Sequence, residues 1–292
     1  MTLWPLELAC VAILAVYAFL HRHEPGWLRE VAWLIPAALL GEDTCIRAYG
    51  FYQYAPGWHL RVDHVPLLIA TIWPAVVLSA RAIARLILKG RGGTAGLAAL
   101  SGVLVVFDAA LIEPVAVTSG LWSWNAPGIF AVPPVGILGW GFFAAASVYV
   151  LERVPARASG VVVIAAPLLT HLALLASWWG LLRWLPQVSF TPAAGIAFVA
   201  LCSLLYFAAV RRSRAGLPRN ETLARVAATS FFGFLLATHP EAWLLGYAAA
   251  FVPPYLLLSF QGWAPQPARP ASPASPASPA DPAAPAAPRP PY

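Results

Sequence analysis

The sequence predicts an all-α polytopic integral membrane protein, a helical bundle of eight or nine transmembrane helices. Three observations carry that prediction. Only 10% of the 292 residues are charged, against about 25% in a typical soluble domain. Apolar residues make up 60% of the chain and its mean hydropathy is +0.71. The apolar residues also fall in runs at about 3–20, 27–42, 65–80, 94–115, 132–151, 160–182, 189–210, 226–238 and 241–260, most of which reach the roughly 20 residues needed to span a bilayer.

The first run has neither a basic leader nor a small-residue cleavage site, so it reads as a retained helix. The second ends in Gly41-Glu42-Asp43, the third opens after Asp63-His64, and the fourth carries Asp108 and Glu113-Pro114. Pro114 lacks a backbone donor and biases Glu113 away from helical dihedrals, so the fourth span is expected to kink or end there. The stretch from Ser119 to Pro134 holds two tryptophans and a Pro-Gly turn but no basic residue. It reads either as an interfacial belt or as a folded lid. The last two runs, separated only by His239-Pro240, are two spans or a broken, re-entrant pair. One transmembrane domain is expected over residues 1–262, and residues 263–292 form a Pro/Ala/Ser-rich tail too poor in apolar residues to fold.

Basic residues set the expected orientation. Arg22 and Arg29, then Arg81, Arg85, Lys89 and Arg91, then Arg153 and Arg157, then Arg211, Arg212, Arg214, Arg219 and Arg225 occupy alternate loops. Arg47, Arg61 and Arg183 fall on the other side. By the positive-inside rule the first set faces the cytoplasm and the N-terminus lies outside, in a bacterial inner (cytoplasmic) membrane. The net charge of +6 is therefore a topology signal and calls for no nucleic-acid partner.

Acidic residues inside apolar runs are the main functional signal. A carboxylate at a bilayer centre costs roughly 2.5–3.5 kcal/mol on insertion scales while a leucine returns about 0.3–0.6, so one acid offsets roughly five to ten leucines. Such a residue is retained when it is neutral, paired or facing a wet cavity. With about 1.5 Å of rise per residue, Glu42 lies roughly 22 Å from the cytoplasmic end of its helix. Asp108 lies past the midplane and Glu113 near the outer end, so all three converge on one leaflet. Asp108 and Glu113 are five residues apart and point about 140° away from each other on an ideal helix. A structural role remains open for each: Asp43 has Arg47 at i+4, and Asp108 could bond to a neighbouring helix.

Several chemistries are excluded. Membrane di-iron hydroxylases need histidine boxes, whereas this chain has six scattered histidines, with His21 and His23 as the only close pair. Paired Asp-rich motifs for magnesium pyrophosphate are missing. A retinal Schiff base requires a lysine within a helix, and the single lysine, Lys89, sits in a basic loop. Gly90-Arg91-Gly92-Gly93 reads as a turn, not a phosphate loop. Cys10, Cys45 and Cys202 have no metal or disulfide spacing. No cofactor is implied. Acids and aromatics remain, and these suit protonation of an electron-rich alkene. A buried carboxyl keeps its proton because desolvation penalises the ionised form, and aromatic faces stabilise the resulting carbocation.

Residues 40–140 also resemble the membrane carotenoid-biosynthesis family that includes the bisanhydrobacterioruberin hydratase type of carotenoid 1,2-hydratase. The matching pieces are Glu42, Gly50-Phe51-Tyr52-Gln53-Tyr54, Val65-Pro66-Leu67 with Trp73, and Asp108 with Pro114-Val115-Ala116. They continue through Gly120-Leu121-Trp122-Ser123-Trp124 to Val132-Pro133 with Gly139-Trp140. The resemblance implies a cofactor-independent enzyme that adds water to the terminal double bond of an acyclic carotenoid. Its substrate would be a carotenoid, its surroundings membrane lipid, and its candidate partners other carotenoid-biosynthesis enzymes. Asp108 or Glu42 would then be the proton donor, with the other or Glu113 handling water. Tyr52, Tyr54, Trp73, Trp122, Trp124 and Trp140 would line the substrate site. One departure stands out: Gly136-Ile137 replaces the Asn-Phe pair expected before Gly139-Trp140. A lycopene-cyclase-like enzyme and a non-catalytic carotenoid or lipid carrier are the alternative readings.

Overall fold

A computed structural model describes residues 3–128, 130–184, 191–213 and 217–250. Its helices are α1 (Trp4–His21), α2 (Trp27–Tyr49), α3 (Leu67–Leu88), α4 (Gly93–Thr118), α5 (Pro134–Arg153), α6 (Val162–Gly180), α7 (Pro192–Ser213) and α8 (Arg219–Thr238). Residues 242–250 are helical as well. The all-α bundle expected from the hydropathy is therefore present. The tail, the C-terminal part of the last apolar run and the Cys202 side chain fall outside what is described.

Five segments are long and apolar enough to cross a membrane: α1, α3, α4, α5 and Ala156–Trp184, which contains α6. The protein is thus a membrane protein. Helices α2 and α8 match these in length but carry charges along their sides, and several of those charges are paired inside the bundle. Arg81, read from the sequence as a loop residue, lies within α3 and pairs with Glu30 of α2 and, at 3.4 Å, with Glu152 of α5. Arg225 lies within α8 and not in the loop before it, because its partner is the Asp108 carboxylate of α4.

Helices α2, α3, α4, α5 and α6 pack in a closed ring, each against the next and α6 back against α2. Helix α1 lies against α3, α8 lies against α4, and the two lie against each other. Helix α4 packs closely on α5. A Cβ on Gly102 would stand 2.7 Å from the Gly141 carbonyl oxygen, and one on Gly141 would stand 2.9 Å from that of Gly102. Two glycines facing each other let the backbones touch, a common way of packing helices where lipid offers no hydrophobic drive.

Pro114 does not end α4, which continues to Thr118. A proline inside a helix leaves the carbonyl four residues back without its donor. Here that carbonyl belongs to Ala110, and it accepts a hydrogen bond from the Tyr247 hydroxyl at 2.5 Å. The helix runs on because a neighbouring segment supplies the missing bond.

The connections α2–α3 and α4–α5 meet at one end of the ring. Strand β1 (Tyr52–Tyr54), from the first connection, pairs antiparallel with β4 (Trp122–Trp124), from the second. The register is Tyr52 opposite Trp124 and Tyr54 opposite Trp122. Two shorter strands, β2 (Arg61–Val62) and β3 (Val65–Pro66), form a hairpin leading into α3.

Candidate active site

The β1–β4 ribbon forms because both connections carry the same pattern. Gly50-Phe51-Tyr52-Gln53-Tyr54 and Gly120-Leu121-Trp122-Ser123-Trp124 each read glycine, apolar, aromatic, polar, aromatic. Both glycines adopt positive φ, 59° and 71°, the conformation that lets a chain leave a helix and reverse. Each ribbon strand is followed by Val-Pro at the start of the next helix, and Trp73 and Trp140 each come seven residues after that proline. Each segment is preceded by one glutamate in a helix, Glu42 in α2 and Glu113 in α4. The site is thus built from two copies of a helix–strand–helix unit, a repeat that the sequence reading did not use although the shared spacing was there to be seen.

In the first copy, Glu42 Oε2 accepts hydrogen bonds from the hydroxyls of Tyr52 and Tyr54, the latter at 2.8 Å, and its Oε1 accepts the Trp73 indole N–H at 2.8 Å. In the second copy, Glu113 Oε2 accepts the indole N–H groups of Trp122 and Trp124, both at 2.8 Å, and its Oε1 accepts that of Trp140 at 2.7 Å. The halves interlock through their rings. Tyr52 lies 4.7 Å from Trp124, Tyr54 5.8 Å from Trp122, and Trp73 4.7 Å from Trp140, centroid to centroid. Eight of the nine residues expected from the sequence therefore form one cluster, two hydrogen-bonded sets joined by ring contacts. Trp122 and Trp124 belong to this cluster and not to an interfacial belt.

The two carboxylates differ in what surrounds them. An indole N–H only donates, whereas a phenol hydroxyl both donates and accepts. Glu113 can therefore only receive from its three partners, and it is 1% exposed. A protonated Glu42 could also donate to the Tyr52 or Tyr54 hydroxyl oxygen, and Glu42 is partly accessible where it lines the cavity. Burial first, then the adjacent Glu42 charge, push both phenols well above their ordinary value, so they keep their protons.

The cavity has a volume of about 230 Å³, and its lining is predominantly apolar. The ninth expected residue, Asp108, also lines it but stands apart from the cluster. Arg225 Nη1 donates to Asp108 Oδ1 at 3.3 Å, an ion pair within the bundle. Along α4, Asp108 is displaced from Glu113 by about 7.5 Å, five residues of helical rise. Ser79 and Arg225 line the cavity too, Arg225 bonded to Asp108 and Ser79 to Glu221, one turn before Arg225, so the cavity has an aromatic end around the glutamates and a polar end around Asp108.

His171 of α6 lines the cavity too and was not singled out from the sequence. Thr44 donates its hydroxyl to the Leu40 carbonyl at 2.5 Å, which leaves it to accept from His171 Nε2 at 2.8 Å. His171 Nδ1 then accepts from the Tyr49 hydroxyl at 2.9 Å. Both ring nitrogens are thus engaged by α2, and only the fold brings residues 122 and 127 positions apart together.

Gly136 lines the cavity as well. A Cβ there would stand 2.6 Å from the Trp124 ring. The side chain expected at this position cannot coexist with Trp124 as it is placed, so the glycine is what seats that indole over Glu113. At the rim, Asp43 pairs with Arg47 at 2.8 Å, as the i to i+4 spacing suggested, and with His64 at 2.9 Å. Asp43, Asp63 and His64 bring ligand atoms within 4.8 Å of one another, and Arg47 already bonds to both aspartates and offsets one of their two charges. Cys10 and Cys45 are free thiols.

A family model described as "Carotenoid biosynthesis protein" matches residues 4–205 of the 292. No curated protein and no solved structure matches the chain.

Proposed function

On the premise that this chain belongs to the carotenoid biosynthesis protein family, we propose that it is a cofactor-independent carotenoid 1,2-hydratase. The observation that carries the proposal is the pair of glutamates in the aromatic end of an apolar cavity, one held by two phenols and an indole and one by indoles alone.

In this reading the Glu42 carboxyl donates its proton to the terminal alkene of an acyclic carotenoid. The π electrons form the new C–H bond and leave a tertiary cation at the neighbouring carbon. The faces of Tyr52, Trp122 and Trp124 stabilise that cation, and the Glu113 carboxylate behind the indoles supplies the compensating charge. A water oxygen closes the C–O bond with its lone pair, and Asp108, paired with Arg225, takes the proton that the water loses. The sum is one water added, with no change in oxidation state. Tyr54, Trp73 and Trp140 hold the two carboxylates in place.

The volume supports entry of one end of the substrate. An apolar cavity of about 150 Å³ binds benzene, so 230 Å³ suits a terminal segment of about ten carbons. The remainder of a long polyene would lie outside this pocket, among lipid.

The test is expression in cells that accumulate an acyclic carotenoid, with extracted pigment masses compared between wild type, Glu42→Gln and Asp108→Asn. The expected result is a gain of one or two waters that both variants abolish or strongly reduce. A product of unchanged mass and altered absorption would replace hydration with cyclisation. Pigment that is bound but unaltered would make the protein a carrier.

A further inference from the structure

A second set of buried ionisable groups lies beyond the polar end of the cavity, and the mechanism above does not use it. His21, the last residue of α1, is 3% exposed, as is Glu221 in the first turn of α8. Charged groups in such positions within a membrane protein are costly and are retained for function or for pairing. These two are arranged in series. Glu24 belongs to the short connection between α1 and α2, has a side chain 54% exposed, and meets His21 Nδ1 at 2.7 Å. On the other side of the ring, His21 Nε2 makes no hydrogen bond among the described residues and faces Glu221 Oε1 at 3.7 Å. The second oxygen of Glu221 accepts from the Ser79 hydroxyl at 2.5 Å. Ser79 lines the cavity.

We propose that Glu24, His21, Glu221 and Ser79 form a proton relay joining the aqueous face that bears the α1–α2 connection to the polar end of the cavity. Every member can both bind and release a proton. Imidazole takes one at one nitrogen and gives one up at the other, a carboxyl does so across its two oxygens, and a hydroxyl donates and accepts at once. Each hop moves a proton without moving electrons, so the relay needs no further reactant. Arg225, one helical turn after Glu221 on the same face, is no carrier because guanidinium keeps its protons. Its place between Glu221 and Asp108 instead holds positive charge beside the route.

The need for such a relay follows from the proposed chemistry, on which this part of the argument rests. Each turnover takes a proton from Glu42 and leaves one on Asp108, so the relay carries the Asp108 proton to the aqueous face while Glu42 regains one from water in the cavity. The β1–β4 ribbon covers the glutamate end, whereas the relay opens toward the opposite end of α1.

The relay is tested with the full chain in vesicles, by stepping the external pH and following the infrared carboxyl absorption of cavity acids, assigned by its loss in Asp108→Asn and Glu42→Gln. In wild type the band should respond fast, and in Glu221→Gln and Ser79→Ala at least tenfold more slowly with the same final amplitude. His21→Ala should be slow and regain speed with added imidazole, a rescue that a merely structural role would not produce. Equal rates in wild type and in all three variants would overturn the relay. So would slowing accompanied by loss of folded protein without imidazole rescue. Because the readout requires no turnover, failure of the chain to hydrate carotenoids would remove the hydratase reading and leave the relay to be decided by these rates.

Discussion

Replacing Glu113 by glutamine separates catalysis from scaffolding in this site. The amide has the size of the carboxylate, but only one of its two ends accepts. If its oxygen keeps the bonds from Trp122 and Trp124, its NH2 group faces the Trp140 N–H across what is now a 2.7 Å contact. One buried indole donor then lacks an acceptor, which costs about 1–3 kcal/mol of stability. Catalysis loses a different quantity. A unit charge about 6 Å from the cation, at an effective dielectric of about 20, contributes roughly 2.8 kcal/mol, or about a hundredfold in rate. The double variant Glu113→Gln/Trp140→Phe removes the donor-donor contact without restoring the charge. Thermal retention of folded protein in detergent and rate of water addition in proteoliposomes should therefore diverge: stability recovers toward wild type while the rate stays about a hundredfold low. If the double variant recovers both together, Glu113 is only a frame for the indoles and the counter-charge argument is wrong.

Other substitutions probe the remaining joints of the site. Glu42→Gln should reduce turnover by about 10²- to 10⁴-fold, the usual scale of general acid catalysis, and Tyr52→Phe or Tyr54→Phe by smaller factors, measured as rates at saturating carotenoid. Both phenols are pushed above their ordinary range, so their neutral forms persist to higher pH, and an alkaline loss of rate near the usual tyrosine value of about 10 that vanishes in the phenylalanine variants would contradict this. Gly136→Asn should displace the Trp124 ring, whose nearest atom is 2.6 Å from the added Cβ, and lower both tryptophan fluorescence anisotropy and activity. Tyr247→Phe strands the Ala110 carbonyl and should cost about 1–3 kcal/mol, read as a lowered Tm with the carotenoid KM unchanged.

Much of this could be read before the fold was seen. Hydropathy located every described helix, and the penalty for an acid in an apolar run singled out Glu42, Asp108 and Glu113. The aromatic clusters following the glutamates supplied Tyr52, Tyr54, Trp122 and Trp124. What stayed hidden depends on contacts between distant segments. Asp108 meets Arg225 across 117 positions, a pairing that periodicity along either helix cannot reveal. Pro114 was expected to interrupt α4 because a local rule removes one hydrogen bond, but Tyr247 supplies a replacement from 137 positions away. Gly136, noticed only as a departure, takes its meaning from an indole that arrives from another segment. Arg81 and Arg225 were counted with the basic loops since composition near a helix end does not distinguish a flanking charge from one paired inside.

The doubled architecture bears on how one site can handle both a proton and a cation. Two equivalent units would place the same chemistry on both sides of the substrate, and two identical carboxylates would compete for one proton. Here the units share their backbone plan, with matching glycines, matching Val-Pro starts and tryptophans at the same offset, but differ in one functional group. Tyr52 and Tyr54 in the first stand where Trp122 and Trp124 stand in the second, two and four residues after the matching glycine. In the proposed mechanism the hydroxyls can accept from a protonated Glu42, while indoles, which cannot accept, leave Glu113 to act as the counter-charge. Exchanging the pairs should therefore exchange the roles. In a chain carrying Tyr52→Trp, Tyr54→Trp, Trp122→Tyr and Trp124→Tyr, turnover should become more sensitive to Glu113→Gln than to Glu42→Gln, the reverse of the native order. If Glu42 stayed the more sensitive residue, its position against the cavity, and not the chemistry of its partners, would decide which acid gives the proton.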